Sequence, residues 1–474
     1  MIKTMNIRKA FGKHIAFPIL NLKNQTANQL KHLEKSQWLP LERIQSLQWD
    51  KLADLLKHAA SNVPHYQKVF HERGISAEGI KSFDDFRALP LLHKVDIREN
   101  FANMIASGFD RSSLKRFTTS GSTGEPVTIL RDHRADIIAS ASGIRFRRWA
   151  GQDIGEKYAQ IWGRALAPVK SSDSGHSTRS RLKRWLARFG EPAAFLNAYD
   201  MTETSMREFA DKIETQKVDV LVGYVNILYF FAQSVRKWKM EFRLKSVRTV
   251  AEVLHTHQRQ LIESVFGCKV FDSYGNRENG LIAAECAMHC GLHVNAENLY
   301  VEILDPQGKP VQSNESGEIV ITDLNNYGMP LIRYRTGDRG HFLNEPCQCG
   351  RRLPLIGKIG GRVIDMIALS DGNFVDGRVL GHALWAFPDE IDRFTVVQHK
   401  RGEAELMLKP AKPIADERLQ IIMNCLRDFT RNKLTIKLKI VDDLPIDPVS
   451  GKYRFVVSDI RSGIDSNEPE QYGR

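Results

Sequence analysis

Between Arg116 and Pro330, short β-rich runs alternate with helical stretches, and this alternation narrows the available folds more than any other feature of the chain. Val218 to Val222, Val247 to Val253 and Lys269 to Ser273 each read as a strand separated from the next by a helix-length segment. Strands joined through helices pair in parallel, with the helices covering the sheet, so an α/β architecture is predicted. The flanks read differently. The first hundred residues are helical in pattern, with Leu52, Leu55, Leu56 and Ala59 on one face and a break at Asn62-Val63-Pro64-His65-Tyr66. From Leu299 the texture becomes short strands and turns, as in Tyr300 to Asp305 and Gly317 to Thr322. After Gly360-Gly361 it changes again, with a helix near Asp416 to Arg431 and a strand at Ile436 to Val441. The division that follows is a large domain over 1–361, containing a β-rich subdomain at 286–350, then a small domain over 362–461 and a polar, disordered tail at 462–474.

Charge and cysteine usage bound the function classes. Lys plus Arg is 68 against 56 for Asp plus Glu, a net charge of +12 that favours anionic partners without choosing among nucleotides, nucleic acid, acidic lipid or an acidic substrate. Arg179, Arg181, Lys183, Arg184 and Arg188 interleave with Leu182, Trp185, Leu186 and Phe189, which reads as one helix with a solvated basic face. No run approaches the roughly 18 apolar residues of a membrane span. Six cysteines are too few for a disulfide framework. Four of them fall in two tight groups, which points to metal binding in a reducing, cytoplasmic setting.

Two local patterns carry chemistry. In Thr118-Thr119-Ser120-Gly121-Ser122-Thr123-Gly124-Glu125-Pro126, the glycines let backbone N–H groups converge and the hydroxyls add donors, as a phosphate cradle requires. The spacing is not that of the ordinary nucleotidase P-loop. In Cys286-x₂-His289-Cys290-x₂-His293, followed by Cys347-Gln348-Cys349, thiolates and imidazoles suit tetrahedral Zn²⁺. Six candidates there compete for four positions.

Read in order with Asp272-Ser273-Tyr274-Gly275-Asn276-Arg277-Glu278, Arg333-Tyr334-Arg335-Thr336-Gly337-Asp338, Gly361-Arg362-Val363-Ile364-Asp365 and Gly451-Lys452-Tyr453-Arg454, the cradle resembles that of the adenylate-forming ligases. Ala251-Glu252 and the stretch from Glu285-Cys286 to Gly291-Leu292-His293 narrow the resemblance to the phenylacetate–CoA ligase family, and within it to the branch associated with capsular polysaccharide biosynthesis. The resemblance runs from about Leu39 to Asp459. It implies an α/β fold, α+β overall, with mixed sheets and helices in the large domain and a small mobile α+β domain behind it.

It further implies that ATP and a small carboxylic acid give an acyl-AMP and pyrophosphate, and that a thiol, coenzyme A, then takes the acyl group. On that likeness Thr119, Ser120, Gly121, Ser122, Thr123 and Gly124 hold the β and γ phosphates, and Glu278 holds Mg²⁺. Ala251, Glu252, Tyr274 and Gly275 border the nucleotide, and Asp338 takes the ribose hydroxyls. Arg362 contacts phosphate or ribose, Lys452 bridges carboxylate and α-phosphate, and Tyr224 and Asn226 face the acyl group. Zinc-bearing relatives pair the Gly-Leu-His pattern with Cys-x-Cys, so the implied structural Zn²⁺ ligands are Cys286, His293, Cys347 and Cys349, with His289 or Cys290 as substitutes for the imidazole.

Glu125 stands where many of these ligases carry Lys, and Ile364 where they carry the acidic pivot of the small domain. The second departure favours an alternative acceptor, an amine or sugar hydroxyl in polysaccharide or secondary-metabolite biosynthesis. A zinc-stabilised nucleic-acid-binding protein is the reading from another class, and positive charge alone supports it poorly. No nucleic acid or transmembrane segment is expected, and the chain is read as a monomer or homodimer.

Overall fold

In the computed structural model, residues 25–118, 127–162, 191–197, 203–362, 366–371, 374–376, 380, 383–384, 387, 389–430, 432–444 and 456–460 are described. The chain runs from a helical layer through a hairpin into its main sheet. Helix Leu41–Asn62 buries Leu52, Leu55, Leu56 and Ala59, the stripe its spacing predicts. Val63 ends it and Pro64 opens helix Pro64–Glu72, where the missing N–H costs nothing because a first-turn donor has no partner within its helix. Strands β1 (Lys115–Thr118) and β2 (Thr128–Arg131) then pair antiparallel.

Five parallel strands follow: β3 (Tyr158–Trp162), β4 (Ala194–Asn197), β5 (Val220–Tyr224), β6 (Ser246–Val250) and β7 (Lys269–Asn276). All of β5 is buried, as a central strand covered on both faces must be. Helices Glu203–Thr215, Val225–Trp238 and Thr256–Phe266 cover one face, packing Phe209, Phe231 and Phe266 on Leu221 and Val247. Strands β8 (Gly280–Glu285) and β9 (Leu292–Val294) turn back antiparallel beside β7.

A second sheet is antiparallel throughout. It joins β10 (Leu299–Leu304), β11 (Gly317–Asp323) and β12 (Tyr334–Gly340) to β14 (Gly360–Arg362), while β13 (Leu355–Ile356) extends the main sheet beyond β9. Tyr300, Leu324 and Tyr334 of this region share one core with Leu52, Leu56 and Phe86 of the helical layer.

Beyond it, β15 (Met366–Ala368) and β16 (Phe374–Asp376) form a hairpin. A four-stranded sheet combines β17 (Ile391–Lys400), β18 (Glu403–Pro410), β19 (Thr435–Ile440) and β20 (Val456–Ser458), with Ile422 and Leu426 of helix Asp416–Phe429 packed into its core. Mixed sheets with helices thus run through the chain, and among the described residues no helix is long and apolar enough to cross a membrane.

Candidate functional site

Open α/β sheets bind ligands at the carboxyl ends of their parallel strands. Here that edge gathers Trp162 from β3, Tyr224 from β5, Ala251 and Glu252 just past β6, and Tyr274 from β7. Ala251 has φ 67, a left-handed conformation that non-glycine residues adopt mainly where the surrounding structure imposes it. Tyr224 is buried against Trp162, with ring centroids 4.7 Å apart. At Gly275 a Cβ would lie 2.6 Å from the Gly280 carbonyl oxygen, so only glycine lets β7 and β8 approach this closely.

The second sheet meets this edge through β12. The Tyr274 hydroxyl donates to Asp338 Oδ2 at 2.9 Å, joining the two sheets. Gly337, at φ +75, takes the turn that presents Asp338, whose N–H donates to Thr336 Oγ1 at 3.0 Å. Four residues upstream on β12, the Tyr334 hydroxyl donates to Glu278 Oε1 at 2.6 Å. Glu278 is buried, and its carbonyl accepts from Arg131 Nη2 at 3.3 Å. Arg131 ends β2 and lies 4.6 Å over the Phe117 ring of β1, so the hairpin that brackets 119–126 stands beside Glu278.

Beneath Tyr274, Asp272 accepts from Thr249 Oγ1 at 2.7 Å. Burial pushes this carboxyl up to about 7, and neighbouring Glu285 adds to the effect. Glu285 is held by Arg259 Nη2 at 2.6 Å and accepts from the Asp272 N–H at 2.9 Å.

Glu285 leads directly into the cysteine cluster. Cys286 Sγ and Cys347 Sγ are 3.6 Å apart, Cys349 Sγ and His293 Nε2 are 3.3 Å apart, and all four donor atoms lie within 4.8 Å of one another. Edge lengths near 3.5 Å are those of a tetrahedron around an ion with ligand bonds of about 2.0–2.3 Å. Two further N–H groups, of Met288 and Arg351, each point at a thiol sulfur from 3.5 Å. Burial, with Arg351 and Arg145 nearby, lowers His293 to about 4, which leaves its ring neutral and able to ligate. Burial pushes the Cys347 thiol up to about 12 where no cation compensates the thiolate.

His289 turns away from this cluster, with Nδ1 3.0 Å from Glu285 Oε2, and Cys290 is exposed with its thiol donating to the Met288 carbonyl. The imidazole in the cluster is that of His293. A cavity of about 500 Å³ lies behind it, between Gln48 of helix Leu41–Asn62 and Leu353, and neither Tyr274, Glu278 nor Asp338 lines it.

Thus Tyr274 and Asp338 meet where the two sheets join, Glu278 is tied to β12 through Tyr334, Ala251 and Glu252 follow β6 at the carboxyl edge, and Cys286, His293, Cys347 and Cys349 converge in a cluster of their own. Thr119 to Gly124, Lys452, Ile364 and the tail 462–474 lie outside the described residues, as do the side chains of Asn226 and Arg362. The Arg362 backbone pairs with Asp338 across β12 and β14. Sequence reasoning passed over Tyr334, Arg131 and Asp272. The first and last sit inside the motifs already singled out, but the irregular register of β12 around Gly337 breaks the alternation that could have marked Tyr334.

Residues 367–459 match a family described as the CapK C-terminal domain. A phenylacetate–coenzyme A ligase of Thermus thermophilus is 24% identical over 410 residues, covering 80% of this chain and 84% of its own. The protein CapK of Staphylococcus aureus is 22% identical over 437 residues, covering 88% and 89%. Among solved structures, a 2-hydroxyisobutyryl-CoA ligase in the postadenylation state superposes with a TM-score of 0.71 at 19% identity, over 89% of this chain and 91% of its own. Along most of its length the chain is similar to the phenylacetate–coenzyme A ligases, and its fold is that of the adenylate-forming ligases.

Proposed function

We propose that the protein adenylates a small carboxylic acid with ATP and then transfers the acyl group to coenzyme A. The observation that carries this reading is the meeting of Glu278, anchored by Tyr334, with the Tyr274–Asp338 pair at the carboxyl edge of the parallel strands. A carboxylate oxygen attacks the α-phosphorus, the bond to the β-phosphate oxygen breaks, and pyrophosphate leaves. The thiolate then attacks the acyl carbon and AMP leaves. In the first step negative charge meets negative charge, so prepositioned cations and donors must supply most of the stabilisation.

Asp338 is assigned to the ribose hydroxyls, with Tyr274 fixing its carboxylate and closing one side of the adenine space. Lys452 is assigned to the bridge between the reacting carboxylate and the α-phosphate, and the loop 119–124 and Arg362 to the phosphates. Glu278 fits Mg²⁺, because one carboxylate oxygen is fixed by Tyr334 and a hard cation prefers such oxygen. When bound, that ion neutralises phosphate charge. Tyr224 and Trp162 form the aromatic wall against which the acid rests.

Asp338→Ala is expected to raise the KM for ATP by at least about tenfold with a smaller change in kcat, because the contact exists in ground and transition state alike. Steady-state pyrophosphate release at varied ATP checks this, and an unchanged KM would remove Asp338 from the ribose role.

The four-donor cluster fits a structural Zn²⁺, since all four positions of a tetrahedron are filled by protein groups. Purified protein is expected to carry about one zinc per chain, and Cys347→Ser or Cys349→Ser to lower Tm and activity together. Elemental analysis finding under ~0.2 equivalents in protein never exposed to chelator would contradict the assignment.

A second acceptor class has its own support. The match of residues 367–459 to the CapK C-terminal domain, with Ile364 at the pivot position, favours an amine or sugar hydroxyl in place of the thiol. Following AMP and acyl product with and without coenzyme A separates the two.

A further inference from the structure

The face of the main sheet opposite helices Glu203–Thr215, Val225–Trp238 and Thr256–Phe266 carries a charge that the adenylation chemistry does not use. Strand register places Gln160, Val222, Arg248 and Phe271 in one row across β3, β5, β6 and β7. One row nearer the carboxyl edge stand Trp162, Tyr224 and Val250. Central rows of a parallel sheet are normally sealed on both faces. Here Gln160, Arg248 and Phe271 are only half-buried while Val222 between them is buried, so this face is partly open to solvent.

Arg248 lies on this face, its Nη1 donating to Gln152 Oε1 at 2.8 Å. Arg147, at the end of helix His133–Trp149, stands near enough to repel it, and its Nε donates to the Gly143 carbonyl at 3.3 Å. Tyr158 lies beside both guanidinium groups. Among the described residues no carboxylate pairs with either arginine. Elsewhere in the chain, the fully buried arginines have one: Arg145 pairs with Glu297 at 2.5 Å and Arg333 with Glu302 at 3.0 Å. Burial and Arg147 push Arg248 down to about 9. Two neighbouring cations with no carboxylate partner among the described residues leave a place that an anion from outside can fill.

We propose that Arg248, with Arg147 and Tyr158, is an anion site in the wall of the acyl cleft, and that the acid this ligase activates carries a second carboxylate. The proposal rests on the adenylation reading above. Arg248 lies two to three residues below the Val250–Ala251 edge, roughly 7–10 Å along the strand. A para-substituted aromatic ring or a short alkyl chain spans that distance between its two acid groups. The activated carboxylate sits at the nucleotide, and the distal one meets the guanidinium groups in charge-assisted hydrogen bonds.

The test compares matched acids: terephthalate with 4-methylbenzoate, and adipate with hexanoate. Wild-type kcat/KM for pyrophosphate release should favour the diacid of at least one pair by roughly ten- to hundredfold, the worth of one charge-assisted contact. Arg248→Met should bring that ratio toward one, and Arg147→Gln should move it in the same direction. Without ligand, Arg248→Met should melt higher, by about 2 °C, because an uncompensated cation has been removed, whereas a structural arginine would melt lower. Calorimetry with terephthalate in the absence of ATP keeps the two readings apart. Binding that depends on Arg248 but gives no pyrophosphate sinks the adenylation reading and leaves the anion site standing. Monoacids used at least as well as diacids, with the ratio unmoved in Arg248→Met, overturn the anion site. A rise in the KM for coenzyme A alone in that variant assigns the arginines to the acceptor's phosphates and also overturns it.

Discussion

Glu278→Gln should cut Mg²⁺-dependent pyrophosphate release by about 10²–10³-fold while the protein stays folded, since losing one electrostatic contact to developing charge typically costs that much. The amide retains the size of the carboxylate and its acceptor for the Tyr334 hydroxyl, which now sits 2.6 Å from Oε1. Only the charge that a hard cation requires is lost. Tyr334→Phe is the informative companion. It keeps the charge and removes the anchor, so a smaller loss, about tenfold, is expected if Tyr334 is a positioning residue. The KM–kcat split should differ from that of Asp338→Ala, whose proposed contact is to the ribose. Indistinguishable kinetics for Glu278→Gln and Asp338→Ala would argue against separate roles at the junction of the two sheets.

Glu297→Ala should cost about 3–5 kcal/mol of stability, because it strands the guanidinium of Arg145 in the protein interior. Arg145 and Glu297 are both almost fully buried and joined by two hydrogen bonds, at 2.5 and 3.0 Å, and Glu297 also accepts from Ser36 Oγ at 2.8 Å. The same turn ties helix Thr26–Ser36 to helix His133–Trp149, and Trp149 in turn packs edge-on to His293 of the Cys/His cluster with centroids 5.5 Å apart. A loss of this size lowers Tm by roughly 3–5 °C in a chain of this length. Replacing both partners together, Arg145→Leu with Glu297→Leu, should recover most of it, since the desolvation cost is removed along with the attraction.

The pair also sets a pH dependence. Burial works against the Glu297 charge, but Arg145 and Ser36 outweigh it and hold the carboxyl below its ordinary 4.5. A depressed carboxyl stabilises the fold above its unfolded-state value, and that contribution disappears as pH falls through the lower folded-state value. The acid arm of the stability profile should therefore be shallower in Glu297→Ala than in the natural chain. Thermal melts between neutral pH and the acid range, compared for the two proteins, check the slope.

The parallel part of the main sheet was legible because its strands are apolar enough to stand out between helices. The predicted Val218 to Val222, Val247 to Val253 and Lys269 to Ser273 appear as β5, β6 and β7 with ends shifted by a few residues. Strand β3, reading Tyr-Ala-Gln-Ile-Trp, was not recognised. Its outward face carries Tyr158 and Gln160, so half its residues do not look like core. Strands β9 and β13 are three and two residues long and exist only because β8 and the cysteine turn hold them in place. The Cys/His cluster was legible from residue type, since few arrangements explain Cys-x-Cys beside a Cys/His run. Its choice of imidazole needed the fold, which turns His289 toward Glu285.

The positioning contacts were the least legible. Tyr334 and Glu278 are 56 residues apart, and Arg145 and Glu297 are 152 apart. No local pattern encodes such pairs, because the topology of two sheets brings them together after each has formed. The same holds for Arg147 and Arg248, which read separately as ordinary surface cations.

The most direct test is a pyrophosphate-release assay with ATP and Mg²⁺ over a panel of aryl and alkyl mono- and dicarboxylic acids, run with the natural chain and with Lys452→Ala. Acid-dependent release of pyrophosphate with matching AMP, lost by roughly 10²–10³-fold in the variant while ATP still binds, is the expected result. Release that needs no acid, or an equal rate in Lys452→Ala, would contradict carboxylate adenylation as the activity of this protein.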